Sequence, residues 1–197
     1  MLRRFSIRDG AFTLIELLTA VSIAAVLMTI TLGIQRYAQD KSARTKAEVE
    51  IRAMGVACES YKTDQGVYPR TPSSDELSST VAETTTYVKA SLDLYQQLSG
   101  DSDVNGKADV SEGKVPEGKQ QADPVYLEFK PSQLRMPNVQ VAYIRDPWDS
   151  ESRPSPYGYS TRRSVMPDDT SAGYNSTYDL WSVAKKPENP KAWITNW

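Results

Sequence analysis

FTLIELLTAVSIAAVLMTITLGI occupies residues 12–34 and follows the basic segment MLRRFSIRDGA at residues 1–11. Within the 23 residues of the apolar run, Glu16 is the single charged side chain. A helix of this length rises about 35 Å, which is enough to cross a bilayer. The arginines in residues 1–11 predict a cytoplasmic N-terminus and export of the rest of the chain. The sequence therefore predicts a single transmembrane segment at 12–34.

The composition of the whole chain excludes several classes of active site. Its 197 residues include no histidine and one cysteine, Cys58. Ser-His and Cys-His catalysis, histidine-ligated metals, disulfide frameworks and cysteine metal clusters are therefore excluded. The formal net charge of −2 argues against a nucleic-acid partner. We expect a protein that is not an enzyme and that binds no nucleic acid.

The junction between the basic segment and the apolar run has a distinctive sequence. Residues 10–17 read GAFTLIEL, which resembles the prepilin cleavage site of the type IV pilin-like superfamily. The resemblance implies that residues 1–11 are a leader, that a prepilin peptidase cuts between Ala11 and Phe12, and that Phe12 is then N-methylated. The family usually has glycine before the cut, so Ala11 is a departure. Cleavage after Gly10 is the alternative.

Glu16 is the fifth residue of the mature chain if Phe12 is the first, and the family has a glutamate at this position. A carboxylate at the centre of a membrane helix costs about 3 kcal/mol, and less near the helix end. In a filament, Glu16 of one subunit can pair with the Phe12 amine of its neighbour and so set the register. The resemblance therefore predicts a homopolymer formed through the N-terminal helix. A glutamate merely tolerated near the membrane interface is the alternative.

Residues 35–62 continue the helical pattern in amphipathic form. Apolar residues recur there at spacings of three and four, as on one helix face: Ala47, Ile51, Met54, Cys58 and Tyr61. The charged residues are assigned to the polar face: Arg44, Lys46, Glu48, Glu50 and Arg52. The pattern predicts one helix over about 13–62, whose half at 35–62 packs on a globular domain at 63–197. Cys58 is expected in that seam as a small hydrophobic residue.

Several motifs of the globular domain resemble the major pseudopilins of type II secretion systems. They are YKTDQGVYP at 61–69, DPWD at 146–149, YGYS at 157–160 and YDLWS at 178–182. Asp149 replaces a glycine that is usual in the family, and residues of about 70–123 form an insertion. PVYLEF at 124–129 alternates like a short strand, and the resemblance makes 178–182 the last strand. These features imply an α+β fold, with a long N-terminal helical spine packed on a small antiparallel sheet domain that carries a loop-rich insertion.

The insertion contains DSDVNGKADVSE at residues 101–112, which matches the calcium-loop pattern D-x-[DN]-x-[DN]-G-x5-E. Calcium takes six to eight oxygen ligands in flexible loops. The expected ligands are Asp101, Asp103, Asn105, the Lys107 carbonyl, Asp109 and a bidentate Glu112. Gly113 and Pro116 prevent a long exit helix, so the loop is predicted to bind one ion alone rather than as a paired EF-hand. A solvated acidic turn is the alternative.

The calcium site of the major pseudopilins follows their last strand, where this chain has VAKKPENP at residues 183–190. Two lysines and one glutamate make this segment a poor cation site, and whether it binds a cation stays open. We expect that a metal ion binds and orders residues 101–112 instead.

The resemblance implies a structural subunit that assembles into a periplasmic pseudopilus and drives type II protein secretion. The implied partners are further copies of the chain, a prepilin peptidase, inner-membrane secretion assembly proteins and other pseudopilins. The implied location is the bacterial inner membrane, with the C-terminal domain in the periplasm. A minor type IV pilin is the first alternative, although many type IV pilins carry a disulfide that one cysteine cannot form. A monomeric, membrane-anchored calcium-binding module is the second.

Overall fold

The computed structural model describes residues 13–197, without the side chains of residues 31–34 and 36. The chain divides into two units, the first ending at Ser42 and the second covering Ala43–Trp197. Helix α1, Leu14–Gln65, contributes to both units. This long N-terminal helix and the small antiparallel sheets described below confirm the predicted α+β fold.

The end of α1 is fixed by a glycine. Gly66 has a φ of +78°, and its N–H donates to the Lys62 carbonyl at 2.8 Å. A residue in the left-handed region ends a helix, and glycine adopts this conformation without a steric penalty. The helix therefore stops at the sequence signal that follows its last amphipathic turn.

In the second unit, the apolar face of α1 forms one side of the core. Ala47, Ile51, Met54 and Cys58 are at most 3% exposed, which confirms the predicted face. Tyr61 packs against the same cluster and is partly buried. Burial raises the pKa of the Cys58 thiol to about 12. This cysteine is therefore a small hydrophobic residue of the core rather than a nucleophile.

Glu50 was assigned to the polar face of α1, and this assignment was wrong. Its side chain is buried, and it accepts hydrogen bonds from the Tyr157 hydroxyl at 2.6 Å and from Gln133 Nε2 at 3.1 Å. Lys46 Nζ lies 3.8 Å from its Oε1 atom. A carboxylate is tolerated in the core here because donors from distant segments satisfy both of its oxygens.

Within the described residues, four short helices follow α1. They are α2 (Pro72–Glu76), α3 (Val88–Ser99), α4 (Asp109–Glu112) and α5 (Arg162–Val165). Single 3-10 turns lie at Thr84–Tyr87, Pro131–Gln133 and Pro190–Ala192.

Two antiparallel sheets lie in the second unit. One pairs β1, Leu134–Arg135, with β2, Tyr143–Ile144. The other has the order β3-β4-β5 and consists of β3, Gly158–Ser160, β4, Asp179–Ser182, and β5, Ile194–Thr195. Strand β4 was predicted to be the last strand, and this was wrong, because β5 pairs with its second edge.

Helix α3 belongs to the core although it lies in the segment that resembled an insertion. Leu94, Tyr95 and Leu98 are almost fully buried, and α3 packs on β2 and β3. The strand prediction for residues 124–129 was wrong. The N–H groups of Tyr126 and Leu127 both donate to the Leu98 carbonyl, at 2.8 and 2.9 Å. This segment satisfies the C-terminal end of α3 instead of pairing with a strand.

Both aspartates of the DPWD motif are buried hydrogen-bond acceptors. Asp146 Oδ2 accepts from the hydroxyls of Ser182 at 2.6 Å and Ser155 at 3.0 Å, and burial raises the pKa of this carboxyl to about 6. Asp149 Oδ1 accepts from the Tyr143 hydroxyl and from the Ser155 N–H, both at 2.8 Å. The motif therefore ties β2 and β4 to the turn that carries it.

Candidate functional site

The predicted processing and assembly residues lie at the start of the chain. Ala11 and Phe12 fall outside the described residues. Glu16 lies in the first turn of α1, and its Oε2 atom accepts from the Thr13 N–H at 2.9 Å and from the Thr13 hydroxyl at 2.7 Å. The Glu16 N–H in turn faces the Thr13 hydroxyl at 3.3 Å. Thr13 and Glu16 therefore form a capping box, which was readable from the T-x-x-E spacing but was not predicted.

The first half of α1 presents apolar side chains to its surroundings. Between 54% and 81% of each of these side chains is exposed: Leu14, Ile15, Leu17, Leu18, Val21, Ile23, Val26, Leu27, Met28 and Ile30. The hydroxyls of Thr19, Ser22 and Thr29 donate to backbone carbonyls three or four residues earlier. A continuous apolar surface of this extent marks a membrane or protein contact. Among the described residues, which exclude the side chains of residues 31–34 and 36, no helix is long and apolar enough to cross a membrane.

The acidic loop of residues 101–112 follows α3 and includes α4 at its end. Asp101 follows the C-cap Gly100, and its carboxylate is fully buried. Its Oδ2 atom accepts from the Tyr95 hydroxyl at 2.5 Å and from the Gly106 N–H at 2.7 Å, and its Oδ1 atom accepts from the Asn105 N–H at 3.2 Å. Burial nevertheless raises the pKa of Asp101. The loop thus curls around this first carboxylate.

Three of the predicted ligands converge. One carboxylate oxygen from each of Asp101, Asp103 and Asp109 lies within 4.8 Å of the others. Asp109 is 1% exposed, and its Oδ2 atom accepts from the Ser102 N–H at 3.2 Å. Its Oδ1 atom is buried and has no hydrogen-bond partner among the described residues. Such an orphaned carboxylate oxygen is costly unless a donor or a cation approaches it.

The other predicted ligands are arranged differently. Asn105 Nδ2 donates to Glu112 Oε2 at 2.8 Å, so the amide nitrogen rather than its oxygen faces Glu112. The Lys107 N–H donates to Asn105 Oδ1 at 2.9 Å. Glu112 is not part of the three-carboxylate cluster. The structure therefore brings Asp101, Asp103 and Asp109 together and leaves Glu112 at the side of the loop.

Lys114 joins these two parts, and its role was not predicted from the sequence. Its Nζ atom lies 2.7 Å from Asp103 Oδ2 and 2.8 Å from Glu112 Oε2. The ammonium lowers the pKa of both carboxyls, and they raise the pKa of Lys114. The signal was a lysine two residues after the last position of the loop pattern. The positive charge of the Lys114 side chain thus lies beside the acidic cluster.

The loop after β4, residues 183–190, is held by donors of the protein itself. Arg153 Nη2 donates to the Ala184 carbonyl at 2.9 Å. The Trp193 indole N–H lies 3.3 Å from the Lys186 carbonyl and 3.2 Å from the Pro187 carbonyl. A guanidinium and an indole therefore contact backbone oxygens of this loop.

Comparison with known families supports the reading of the N-terminus. A family model described as the prokaryotic N-terminal methylation motif matches residues 8–32. No curated protein and no solved structure matches the chain. The motif is the N-terminal signal of type IV pilin-like proteins, and the α+β fold with its long N-terminal helix agrees with that superfamily. A signal of this kind implies processing by a prepilin peptidase, a membrane-anchored N-terminus and filament assembly.

Proposed function

We propose that the chain is a pseudopilin, a subunit of the periplasmic filament of a type II secretion system. It is cleaved before Phe12, N-methylated, and held in the inner membrane by residues 12–34 until it enters the filament. The observation that carries this proposal is the exposed apolar surface of α1, which lies within the matched methylation motif and contains one carboxylate. In a filament, neighbouring helices cover that surface and remove it from lipid or water.

The contacts of Glu16 support a role in assembly that is additional to capping. Both donors of Thr13 reach the same atom, Oε2. Within residues 13–197, Oε1 therefore remains available to a further donor, and the Phe12 amine of a neighbouring subunit supplies one. A charge-assisted bond between an ammonium and a carboxylate is strong where apolar side chains exclude water. Glu16 thus caps its own helix and selects the register of the next subunit.

The processing step gives the first prediction. The mature protein from its native membrane is expected to begin with N-methylated Phe12, and Ala11→Leu should leave the leader attached, because the peptidase must accept a small side chain before the cut. Ala11→Gly, which supplies the residue usual in the family, is the matched control and should be cleaved fully. Intact-protein mass spectrometry measures both outcomes. A mature chain beginning at Met1 or at Ala11 contradicts the proposed cut.

The second prediction separates capping from charge at Glu16. Glu16→Gln keeps a capping-box side chain but loses the charge, and we expect it to abolish cross-linked multimers and the secretion of type II cargo in a deletion strain. Thr13→Ala is the control, because it removes a capping hydroxyl worth about 1 kcal/mol and keeps the carboxylate. It should retain multimers and secretion. Cross-linking in membranes and cargo measured in the medium report the two effects.

The alternatives differ in what these experiments return. A Glu16→Gln protein with a normal cross-linking ladder shows that the charge is merely tolerated. A wild-type protein that is processed and stays monomeric supports an anchored binding module. Multimers without any effect on type II cargo support a type IV pilin, and the single cysteine then means that its domain is closed without a disulfide.

A further inference from the structure

We propose that the loop of residues 101–112 binds one calcium ion through Asp101, Asp103, Asp109 and Glu112, and that the ion displaces the Lys114 ammonium. The proposal concerns a second site, distant in sequence from the assembly helix, and it does not depend on the filament role. It rests on the converging carboxylates and on the orphaned oxygen of Asp109.

The spacing of the carboxylates fits a calcium ion. Calcium–oxygen distances are about 2.3–2.6 Å, so two oxygens on opposite sides of one ion lie up to about 5 Å apart. The oxygens offered by Asp101, Asp103 and Asp109 lie within 4.8 Å of one another. They can therefore reach one ion without a rearrangement of the backbone. Magnesium requires shorter distances of about 2.1 Å and a stricter geometry, so it should bind less well.

The burial of the cluster explains why it needs a cation. Asp101 and Asp109 are almost inaccessible to water, so their mutual repulsion is weakly screened. Asp101 has three donors from its own chain, whereas Asp109 has one N–H on Oδ2 and none on Oδ1 among the described residues. A divalent ion satisfies the Asp109 oxygen and neutralises its neighbours at the same time.

Lys114 supplies part of that charge when the ion is absent. Its ammonium contacts the more exposed carboxylates, Asp103 and Glu112, and these two belong to the proposed ligand set. Glu112 lies outside the three-carboxylate cluster while it contacts Lys114, so its binding to the same ion as Asp103 requires that contact to break. Once Glu112 is released from Lys114 it can turn toward the cluster, where the sequence pattern places it as the closing ligand. Removing the positive charge of Lys114 should therefore strengthen calcium binding.

The test uses the full chain purified in detergent and stripped of metal. Terbium(III), a hard ion of similar size, is added and excited through the aromatic side chains, because the Tyr95 hydroxyl lies 2.5 Å from Asp101. We expect sensitised terbium emission that calcium reverses, and a calcium dissociation constant of about 10⁻⁴–10⁻³ M by calorimetry, as in extracellular modules. Magnesium at the same concentration should reverse little of the emission.

Three variants and one control variant make the test specific. Asp109→Asn keeps the shape and an acceptor for Ser102 but should weaken calcium binding at least tenfold, and the exposed Glu112→Gln should act in the same direction without disturbing the fold. Lys114→Gln should tighten binding about tenfold. Lys107→Gln, an exposed lysine of the same loop, carries the same charge change and should alter binding much less. Circular dichroism checks that each variant is folded.

Specific results overturn the proposal. Absence of calcium heat and of terbium emission at several millimolar metal reduces the loop to an acidic turn. Equal binding by the wild type, Asp109→Asn and Glu112→Gln places the metal elsewhere on the chain. Lys114→Gln that binds no more tightly than Lys107→Gln removes the displacement step. Since none of these readouts involves processing or multimers, their failure leaves the filament proposal standing, and the converse also holds.

Discussion

Gly158→Ala is expected to destabilise the second unit by about 3 kcal/mol or more, at the upper end of the cost of overpacking a core. Gly158 of β3 lies opposite Trp181 of β4. A Cβ atom added at residue 158 would lie 2.1 Å from Trp181 Cε2 and 2.3 Å from Cζ2. Atoms cannot approach so closely, so either the indole or the strand must move.

The indole has little freedom to move. Trp181 is fully buried, with the edge of the Tyr87 ring at a centroid distance of 5.1 Å and the Trp193 ring stacked at 6.5 Å. Interiors packed to this density transmit a local displacement to their neighbours. Glycine at residue 158 is therefore required by the proximity of an aromatic ring, not by its backbone conformation.

Urea unfolding of the full chain in detergent, followed by tryptophan fluorescence, measures this effect. Gly55→Ala is the matched control. Its Cβ would lie 3.4 Å from the Tyr178 hydroxyl, an ordinary contact, and alanine in a helix interior is favoured over glycine by about 1 kcal/mol. Gly55→Ala should therefore unfold at the same or a higher urea concentration. A Gly158→Ala protein as stable as the wild type would show that β3 and β4 are not in the observed register.

The parts of the fold that follow from local periodicity were predictable. The face of α1 that carries Ala47, Ile51, Met54 and Cys58 has a helical repeat, and a buried helix face needs no further information. Glu50 lies three residues after Ala47 and four before Met54, at the edge of that face, and its charge was the reason for assigning it to the polar side. Its acceptance into the core depends on Tyr157 and Gln133, which are 107 and 83 residues away in sequence. Contacts of such sequence separation leave no local pattern.

The segment PVYLEF at residues 124–129 also shows that a local pattern is not sufficient, because here the pattern of a strand is present and no strand forms. Its alternation satisfies the rule for a strand, but a strand also needs a partner edge. In the structure, the N–H groups of Tyr126 and Leu127 donate to the Leu98 carbonyl at the end of α3. Which backbone acceptor a segment meets is decided by tertiary packing, so the pattern was correct and the assignment was not.

The acidic loop was predictable in its spacing but not in its electrostatics. The alternation of Asp101 and Asp103, with Asp109 at the ninth position of the loop pattern, was sufficient to expect convergence. The depth at which Asp109 is buried depends on the core around α3. The tethered Lys114 lies outside the twelve-residue pattern, and its contacts depend on how the chain turns at Gly113. The competition between calcium and the Lys114 ammonium for these carboxylates therefore depends on the tertiary structure and could not be predicted from the loop pattern.

The second large effect is expected at Asp149. This residue occupies a position where the family that the chain resembles usually has glycine. Its side chain is fully buried. Oδ1 accepts from Tyr143 and from the Ser155 N–H, and Oδ2 lies 3.4 Å from Arg135 Nη1 and 3.3 Å from Arg145 Nε. One carboxylate thus serves two guanidiniums, a hydroxyl and a backbone N–H. In this chain the position closes the turn of residues 146–149, with the Asp149 N–H donating to the Asp146 carbonyl at 3.1 Å, and its side chain adds an electrostatic centre.

Asp149→Asn should cost about 3 kcal/mol, the lower end of the range for removing one partner of a buried ion pair, since both arginines keep some access to water. Asp149→Gly, which creates the family-like Asp-Pro-Trp-Gly sequence, should cost more, because it also removes the acceptor of Tyr143 and Ser155. The exposed Asp168→Asn carries the same charge change and should be close to neutral. The measurement is urea unfolding of the full chain in detergent, followed by circular dichroism. An Asp149→Gly protein as stable as Asp168→Asn would mean that the guanidiniums gain nothing from this carboxylate and that the family's turn fits here unchanged.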